Sequence, residues 1–380
     1  MDTKVDYRKR LMDTLLFKDT KNVPFIEIAL WGQTLERWQN EGLKIDELKN
    51  GGWFMEGEPF FGFEPREYIK INAIGPLPIL DYNVLEEDDR IIVYIDSMGV
   101  THKALKEGQA KNGTRLSMDQ YIDFPVKDRA TFESYKKRYM PDVHARYPQQ
   151  WDEKKQRWNE GNIPVGLTDN GEFGFYSMLR RWMGVEGVSY IFYDDPVLAH
   201  EMLNFLCDYM MELTEKAVKE VRIDFFNFFE DMSFKNGPLV SPEIFREFFL
   251  PVYKKFIDHL RRHGIKLIMV DTDGDPTKLV PLFIEAGVNC IWPIEVAAGV
   301  DPIIFRKKFG KDISMIGGID KRVLTMSKDD IRKEVERICN YMLPQGGYIP
   351  TVDHAVPPDV PYENFLYYLD IKKKALEGKL

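Results

Sequence analysis

The sequence has few cysteines, and their arrangement argues against two common uses of the residue. Cys207, Cys290 and Cys339 are the three cysteines among 380 residues, and they lie far apart along the chain. Their number is odd and no CxxC or HxC spacing occurs, so neither a disulfide framework nor a thiolate zinc knuckle is predicted. Because free cysteine is commonly buried, we expect all three to be structural residues of the core.

The sequence also lacks the charge pattern of nucleic-acid-binding proteins and the long apolar runs of membrane proteins. The formal net charge is −9, from 52 basic and 61 acidic residues, and lysine and arginine are not clustered. Nucleic-acid binding needs a focused basic surface. No segment approaches about 18 consecutive apolar residues, and the charged opening MDTKVDYRKR is unlike a signal peptide. We therefore expect a cytoplasmic protein that binds neither nucleic acid nor membranes.

A regular alternation of apolar runs and helical sequence begins at residue 163. Strands alternating with helices at this spacing imply parallel βαβ units and an α/β fold. Residues 23–30 (VPFIEIAL) add a seventh strand and residues 71–80 (INAIGPLPIL) an eighth, which would close a (β/α)₈ TIM barrel. The six strands predicted from residue 163 onward lie at 163–169, 223–231, 266–271, 290–296, 313–320 and 347–354.

Residues 31–162 do not follow this alternation and are predicted to be an irregular elaboration of the barrel. Within them, RIIVYIDSMGVTHKALK has the pattern of a β-hairpin that turns near Met98 and Gly99. No Gly/Ser-rich or Pro-rich linker flanks the region. We therefore predict one barrel domain that comprises residues 1–380.

Acidic residues follow each of the six strands predicted after residue 163. A single acid after a strand is commonly a helix cap, and Asp275 and Asp320 are expected to be caps. The carboxyl ends of parallel barrel strands meet at one mouth, where barrel enzymes build their sites. Six strands in succession therefore predict a site there, formed from Asp169, Glu230 with Asp231, Asp271 with Asp273, Glu295, Asp320 with Lys321, and Asp353 with His354.

Clustered carboxylates raise one another's pKa unless a cation or a shared proton compensates them. A divalent metal, Lys321 or a proton used in acid–base catalysis could each do so, and the residues alone do not choose between them. His354 stands at a strand end before a stiff Pro-Pro segment, so we predict that it is functional. The other histidines are expected to be surface or packing residues, namely His102, His144, His200, His259 and His263.

Four segments of the chain resemble the uroporphyrinogen decarboxylase superfamily, including its corrinoid-dependent methyltransferase branch. They are FFEDMSFKNGPLVSPEIFREFFLPVYKKF, VDTDGDPTKLVPLFIEAGVN, IGGIDKRVL and GGYIPTVDHAVPPDVPYENFLYYL. The resemblance covers most of residues 160–375 and implies a (β/α)₈ barrel with its pocket at the mouth. The decarboxylase itself carries an arginine-rich stretch after its first strand, and residues 27–38 contain no paired arginines. An acidic mouth would also repel a carboxylate-rich tetrapyrrole.

The methyltransferase branch implies a specific set of site residues. Its coenzyme M members bind zinc through a His-x-Cys-Gly segment and a later cysteine, and these positions fall on Asp271, Asp273 and His354. The resemblance therefore implies a metal set of Asp271, Asp273 and His354, with zinc as the possible ion and Glu230 or Glu295 completing it. The catalytic set is His354, Asp273 and Glu230, and the expected substrate-binding residues are Trp31, Phe228, Trp292, Glu295 and Tyr348.

The activity expected from this branch is the transfer of a methyl group from a methylated small molecule, such as an aryl methyl ether, to a corrinoid. No Asp-x-His-x-x-Gly signature occurs, so the corrinoid is expected on a separate partner protein. One alternative is a metal-independent decarboxylase that uses an acid–base pair among Asp271, Asp273 and His354. Another is a non-catalytic barrel whose acids hold a cationic ligand. A homodimer is the expected assembly.

Overall fold

Helices surround a parallel sheet in the computed structural model of the protein, which describes residues 5–49, 55–106, 119–167 and 173–380. Asp169, one of the expected mouth residues, lies outside these ranges. The strands are, in chain order, β1 (Glu67–Ile69), β2 (Asn83–Glu87), β3 (Ile91–Ile95), β4 (Thr101–Leu105), β5 (Gln120–Asp123), β6 (Val165–Leu167), β7 (Phe225–Phe229), β8 (Ser233–Phe234), β9 (Gly237–Pro238), β10 (Leu267–Asp271), β11 (Cys290–Ile294), β12 (Ser314–Gly317) and β13 (Tyr348–Ile349).

The helices alternate with the strands of the second half, as the sequence pattern predicts. Their starts carry recognisable caps; Asp195, for example, accepts the backbone N–H of Leu198 at the start of α7. No described helix combines the length and the apolar character that crossing a membrane requires. The helices are α1 (Tyr7–Leu15), α2 (Gly32–Asn40), α3 (Arg129–Tyr135), α4 (Val143–Arg146), α5 (Trp151–Glu160), α6 (Phe175–Asp194), α7 (Pro196–Glu220), α8 (Pro242–Ile244), α9 (Leu250–Arg262), α10 (Val280–Ala286), α11 (Pro302–Phe309), α12 (Lys328–Met342) and α13 (Tyr362–Leu376).

The main sheet is parallel and has the strand order β1-β6-β7-β10-β11-β12-β13. The expected strand at 23–30 adjoins its last edge through one parallel bridge, Leu30 to Val356, rather than through a ladder. On its other side, the carbonyl of Phe25 accepts the N–H of Glu64 at 2.9 Å, near the start of β1. The architecture is therefore that of a TIM-barrel-like α/β fold. Residues 23–30 form an extended segment between the two outer strands of the sheet, β13 and β1, and we call it the closing segment.

The prediction of a strand at 71–80 is wrong, because the chain forms β1 at Glu67–Ile69 instead. Pro76 and Pro78 interrupt the expected stretch, and proline cannot donate a ladder hydrogen bond. β1 pairs in parallel with β6 and so supplies a strand of the barrel. Residues 31–162 therefore contain one barrel strand in addition to the elaboration.

The strand β7 shows why its sequence lacks the alternation of a half-exposed strand. Phe225 packs in the barrel interior, in a cluster with Leu267, Met269 and Trp292. Phe226 and the other even-numbered residue of the strand pack outward, in the cluster formed with the helices. Both faces are buried, so both are apolar.

A second sheet, antiparallel and in the order β2-β3-β4-β5, lies beside the mouth of the barrel. The expected hairpin is β3 and β4, and Gly99 at its turn has φ +85°, a conformation that favours glycine. The sheet contacts the barrel through the segment after β5, where Val126 N–H donates to the carbonyl of Trp182 at 2.9 Å. All three cysteines are buried, as expected.

A buried ion pair joins the closing segment to the last helix. The carboxylate of Glu27 contacts the ammonium of Lys372, accepts the hydroxyl of Tyr368 at 2.6 Å and accepts the N–H of Val352 at 3.0 Å. The Glu27 and Lys372 side chains are 1% and 0% exposed. Burial lowers the pKa of Lys372, an effect that the neighbouring Glu27 opposes.

We predict that removing one partner of this pair costs more stability than removing both. Glu27→Gln leaves the ammonium of Lys372 buried without a counter-charge, which costs about 3–5 kcal/mol. The double variant Glu27→Gln/Lys372→Met buries no charge there and should be more stable than Glu27→Gln. Urea unfolding followed by fluorescence compares the variants, and a double variant less stable than Glu27→Gln would contradict the prediction.

Candidate active site

Polar residues that follow β10 to β13 converge at one edge of the sheet, as the sequence predicts. His354 Nε2 lies 3.2 Å from Asp273 Oδ1. Lys321 Nζ lies 3.3 Å from Glu295 Oε1 and 4.0 Å from Asp353 Oδ1. The mouth therefore holds alternating acids and bases rather than acids alone, which lessens the mutual repulsion of the carboxylates.

The pair of His354 and Asp273 is the exposed part of this cluster. The His354 side chain is 22% exposed and that of Asp273 is 44% exposed. Burial alone would lower the pKa of His354, but the hydrogen bond and negative charge of Asp273 outweigh it and raise that pKa. Burial likewise would raise the pKa of Asp273, and His354 reverses the direction. The pair therefore favours the protonated form of the imidazole at the mouth.

Asp353 and Glu295 fix the loops around this pair. The fully buried Asp353 accepts the N–H groups of Ala297 at 3.0 Å and Lys321 at 3.1 Å, and burial raises its pKa. Glu295 accepts the N–H of Gly274 at 2.9 Å, directly after Asp273. These contacts are those of a residue that positions Asp273, and the substrate-binding role expected for Glu295 stays a prediction.

Gly274 lets the turn after Asp273 pass close to a neighbouring loop. Its φ is +80°, and a Cβ at this position would lie 2.8 Å from the backbone of Ser233. Both the backbone conformation and the close approach require glycine. Nearby, Asp275 accepts the N–H of Thr277 at 3.0 Å and Asp320 accepts that of Arg322 at 2.9 Å, as expected of turn and cap residues.

Glu230 is enclosed and faces the start of a helix. Its carboxylate accepts the N–H groups of Phe175 at 2.5 Å, Tyr176 at 2.9 Å and Ser177 at 3.2 Å, and also the hydroxyl of Tyr253. The residue is 0% exposed, and burial raises its pKa to about 7 despite these bonds. A carboxylate at a helix N-terminus is held by the first N–H groups and the helix dipole. The oxygens of Glu230 are thus directed at the helix, and the catalytic role expected for it stays a prediction.

Asp271 and Asp273 have different surroundings. Asp271 ends β10, and burial raises its pKa well above the usual range, with the charges of Asp273 and Asp231 adding to the effect and Arg66 opposing it. Among the described residues, the one trio of histidine, cysteine or carboxylate ligand atoms that lies within 4.8 Å is on the outer helices. Among the described residues, Asp271, Asp273 and His354 therefore do not form a preassembled three-ligand set, and the metal role expected for them stays a prediction.

The aromatic residues expected to line the pocket divide into two groups. Trp292 lies in the barrel interior and donates its Nε1–H to Asn227 Oδ1 at 2.8 Å, and Trp31 packs against the same interior cluster. Phe228 instead packs on Tyr253, with ring centroids 4.7 Å apart. The Tyr348 hydroxyl donates to the carbonyl of Gly317 at 2.6 Å within the helix-facing core.

Phe228 and Tyr348 are therefore not pocket walls, which corrects the expectation. Successive residues of a strand point to opposite faces. In β7, Phe225, Asn227 and Phe229 share one face, which Phe225 shows to be the interior face. Phe228 lies on the opposite face. Tyr348 similarly points away from the interior that contains Ile349. A strand that is apolar on both faces gives no sequence signal of which residue faces inward.

A cleft lies at the mouth, where the family resemblance implies a pocket, but its lining was not expected from the sequence. It has a volume of about 420 Å³ and lies between the second sheet, helix α6 and the end of β7. Asp231 binds Arg180 at 3.1 Å within it, and burial, followed by the charge of Asp273, raises the pKa of Asp231. The lining residues are Asp96, Met98, Val100, His102, Tyr121, Phe124, Arg180, Arg181, Gly184, Val185, Phe229 and Asp231.

Two further polar side chains near the mouth were not predicted from the sequence, because they lie in residues 31–162, which were predicted to be irregular. His102, expected to be a surface or packing residue, lies 3.1 Å from both Asp96 and Asp119 and lines the cleft. The buried guanidinium of Arg66 lies 2.5 Å from Glu56 and 5.6 Å from the Trp292 ring centre. Nε and Nη1 of Arg66 have no hydrogen-bond partner among the described residues.

We predict that Asp273→Asn lowers the pKa of His354 below the ordinary histidine value, because burial and the positive charge of Lys321 then outweigh the one remaining opposing effect, the negative charge of Glu295. The raised pKa means that the pair stabilises the fold below about pH 6.5. That stabilisation is lost as the pH rises through the folded-state pKa. NMR titration of the His354 ring, assigned with His354→Gln, measures both proteins. An unchanged pKa in Asp273→Asn would show that Asp273 does not hold the proton.

Comparisons with known proteins agree with this architecture. The sequence profile of uroporphyrinogen decarboxylase (URO-D) matches residues 175–375, just over half of the chain. The URO-D of Ruthia magnifica subsp. Calyptogena magnifica is 22% identical over 202 residues, which are 50% of this chain and 53% of the relative. That of Legionella pneumophila strain Corby is 25% identical over 183 residues, 46% and 47% of the two chains. The matches thus span about half the length of these relatives.

Among solved structures, a methyltransferase from Methanosarcina mazei is similar over the whole length. It covers 99% of both chains with a TM-score of 0.63 and 13% sequence identity. At this identity the similarity concerns the fold. The profile match, together with the barrel and its convergent strand ends, shows that the chain belongs to the uroporphyrinogen decarboxylase (URO-D) family.

Proposed function

We propose that this protein is a methyltransferase that moves a methyl group from a small methylated molecule, such as an aryl methyl ether, to the corrinoid of a separate partner protein. The observation that carries the proposal is the His354–Asp273 pair at the barrel mouth, with 3.2 Å between Nε2 and Oδ1. The methyltransferase of similar fold supports the same class of reaction.

The pair suits the chemical demand of breaking an ether. When the methyl carbon is attacked, the C–O electron pair stays on the oxygen, and that oxygen needs a proton to leave as an alcohol. The corrinoid supplies the nucleophile when its carrier is bound. Because Asp273 raises the pKa of His354, the imidazole carries the proton that the leaving oxygen takes. Asp273 balances the charge of the imidazolium before this transfer, and the imidazole that remains afterwards is neutral.

The cleft offers a place for a small aromatic donor, and its residue Asp231 connects it to Asp273. A volume of about 420 Å³ lies in the range of small-molecule sites. Phe229, Met98 and Phe124 give it apolar walls, and Asp231 with Arg180 gives it a polar end. The Asp231 carboxylate accepts a backbone hydrogen bond from Asp273, so the polar end adjoins the proton donor.

The same electrostatics disfavour the tetrapyrrole substrate of URO-D. Carboxylates at the mouth, including Asp231, Asp273 and Glu295, already take up Arg180, His354 and Lys321 as partners. A substrate with several carboxylates would have to compete for these cations while approaching like charges. A small donor with a neutral ether meets neither obstacle.

We predict that His354→Gln slows methyl transfer by about 10²–10⁴-fold for a donor with a poor leaving group, the usual effect of losing a general acid. The loss should be much smaller for a 4-nitrophenyl methyl ether, whose leaving phenolate needs little protonation. Absorbance of the methylated corrinoid follows the reaction, with reduced cobalamin as acceptor. Asp320→Asn removes one carboxylate from a capping position at the same edge and serves as the matched control.

Two results would contradict the proposal. An equal loss for both donors would show that His354 does not protonate the leaving group. A wild-type protein that methylates cobalamin from no donor of a broad panel, yet releases carbon dioxide from small carboxylated compounds, would establish the lyase alternative, in which the same pair protonates a carbanion.

A further inference from the structure

Two histidines and a glutamate meet on the outer helices, at the end of the barrel away from the mouth. His259 and His263 are one turn apart at the end of α9, shortly before β10 begins, and Glu215 lies on the neighbouring helix α7. The active-site residues follow the ends of the strands, whereas this trio precedes the start of one. It is therefore separate from the His354–Asp273 pair.

We propose that Glu215, His259 and His263 form a binding site for a transition-metal ion, zinc by its donor chemistry. Nε2 of each histidine lies 3.7 Å from Oε2 of Glu215, and the three atoms all lie within 4.8 Å of one another. Protein N–H···O hydrogen bonds span about 2.7–3.2 Å, so 3.7 Å is too long for one. Tetrahedral zinc with bonds of about 2.0–2.1 Å separates its ligand atoms by about 3.4 Å. The distances between Nε2 and Oε2 are thus closer to those between the ligand atoms of a bound zinc ion than to those of a hydrogen bond.

The state of His259 points to a ligand in the same place. Its side chain is 7% exposed, and its Nε2 has no hydrogen-bond partner among the described residues. Buried polar atoms in folded proteins are nearly always satisfied. A metal ion between His259 and Glu215 would satisfy this nitrogen.

The surrounding contacts orient the carboxylate for such an ion. Lys219 Nζ binds Oε1 of Glu215 at 2.6 Å, which leaves Oε2 directed at the two imidazoles. His263 is 24% exposed and Glu215 is 40% exposed, so a fourth position is open to water. Two imidazoles and one carboxylate suit zinc rather than calcium or magnesium, which prefer oxygen ligands.

A metal here would connect α7 to α9, and its expected effect is on stability. Residues at the N-terminal face of a barrel commonly serve stability, in contrast to those at the mouth. A ligand that binds the folded protein but not the unfolded protein raises the melting temperature. The stabilisation grows with the logarithm of the ligand concentration once that concentration exceeds the Kd. Chelator-treated wild-type protein should therefore melt at a higher temperature when zinc is added.

The test titrates zinc into chelator-treated full-length protein by calorimetry and measures the melting temperature of each sample. We expect one zinc ion per chain with sub-micromolar Kd, and a tetrahedral or five-coordinate absorption band when cobalt(II) replaces zinc. His263→Gln and Glu215→Gln change exposed ligands and should fold normally. Each should weaken binding by at least about 100-fold, since loss of mere outer-shell partners costs 10–100-fold.

The controls are His354→Gln and Asp273→Asn, which should bind zinc as the wild type does. Zinc binding that is lost in these mouth variants and kept in His263→Gln would overturn the proposal and place the ion at the mouth. A wild-type protein that shows no saturable binding up to 100 times the protein concentration would also overturn it. Neither result bears on methyl transfer, which is measured separately.

Discussion

The buried carboxylate of Glu27 joins three parts of the chain, namely the segment at 23–30, the last helix and the backbone before His354. Glu27 lies in the closing segment and binds Lys372 and Tyr368 of the last helix. Its second oxygen accepts the N–H of Val352, two residues before His354. The carboxylate that binds the last helix therefore also fixes the backbone just before His354.

The mouth can hold many carboxylates because each has a different partner. Glu230 is held by a helix N-terminus, Asp353 by two backbone N–H groups, and Glu295 by Lys321 and a backbone N–H. These residues build the frame, since their oxygens are already engaged and mostly buried. Asp273 differs because its partner is a titratable imidazole and it stays 44% exposed. The geometry thus separates the acids engaged by the frame from Asp273, which contacts the imidazole that we propose as the proton donor.

The sequence predicted the parts of the fold that local pattern controls. The strands β7 and β10 to β13, the hairpin and the convergence of strand-end residues all follow from apolar runs, turns and parallel topology. The inward or outward direction of Phe228 and Tyr348 could not be predicted, because a strand buried on both faces has no alternation to interpret. Arg66 and His102 were missed for another reason. Arg66 contacts Trp292 and His102 contacts Asp96, and both contacts depend on how residues 31–162 pack on the barrel and on one another.

Distances between imidazoles and carboxylates distinguish the two polar sites of this protein. At the mouth, Nε2 of His354 and Oδ1 of Asp273 are 3.2 Å apart, which a shared proton can bridge. On the outer helices the corresponding separation is 3.7 Å for both histidines, which a hydrogen bond does not span. The residue types are nearly the same, so composition alone would assign both sites one chemistry. The extra half ångström, repeated at two nitrogens around one oxygen, instead favours proton chemistry at the mouth and a metal ion on the outside.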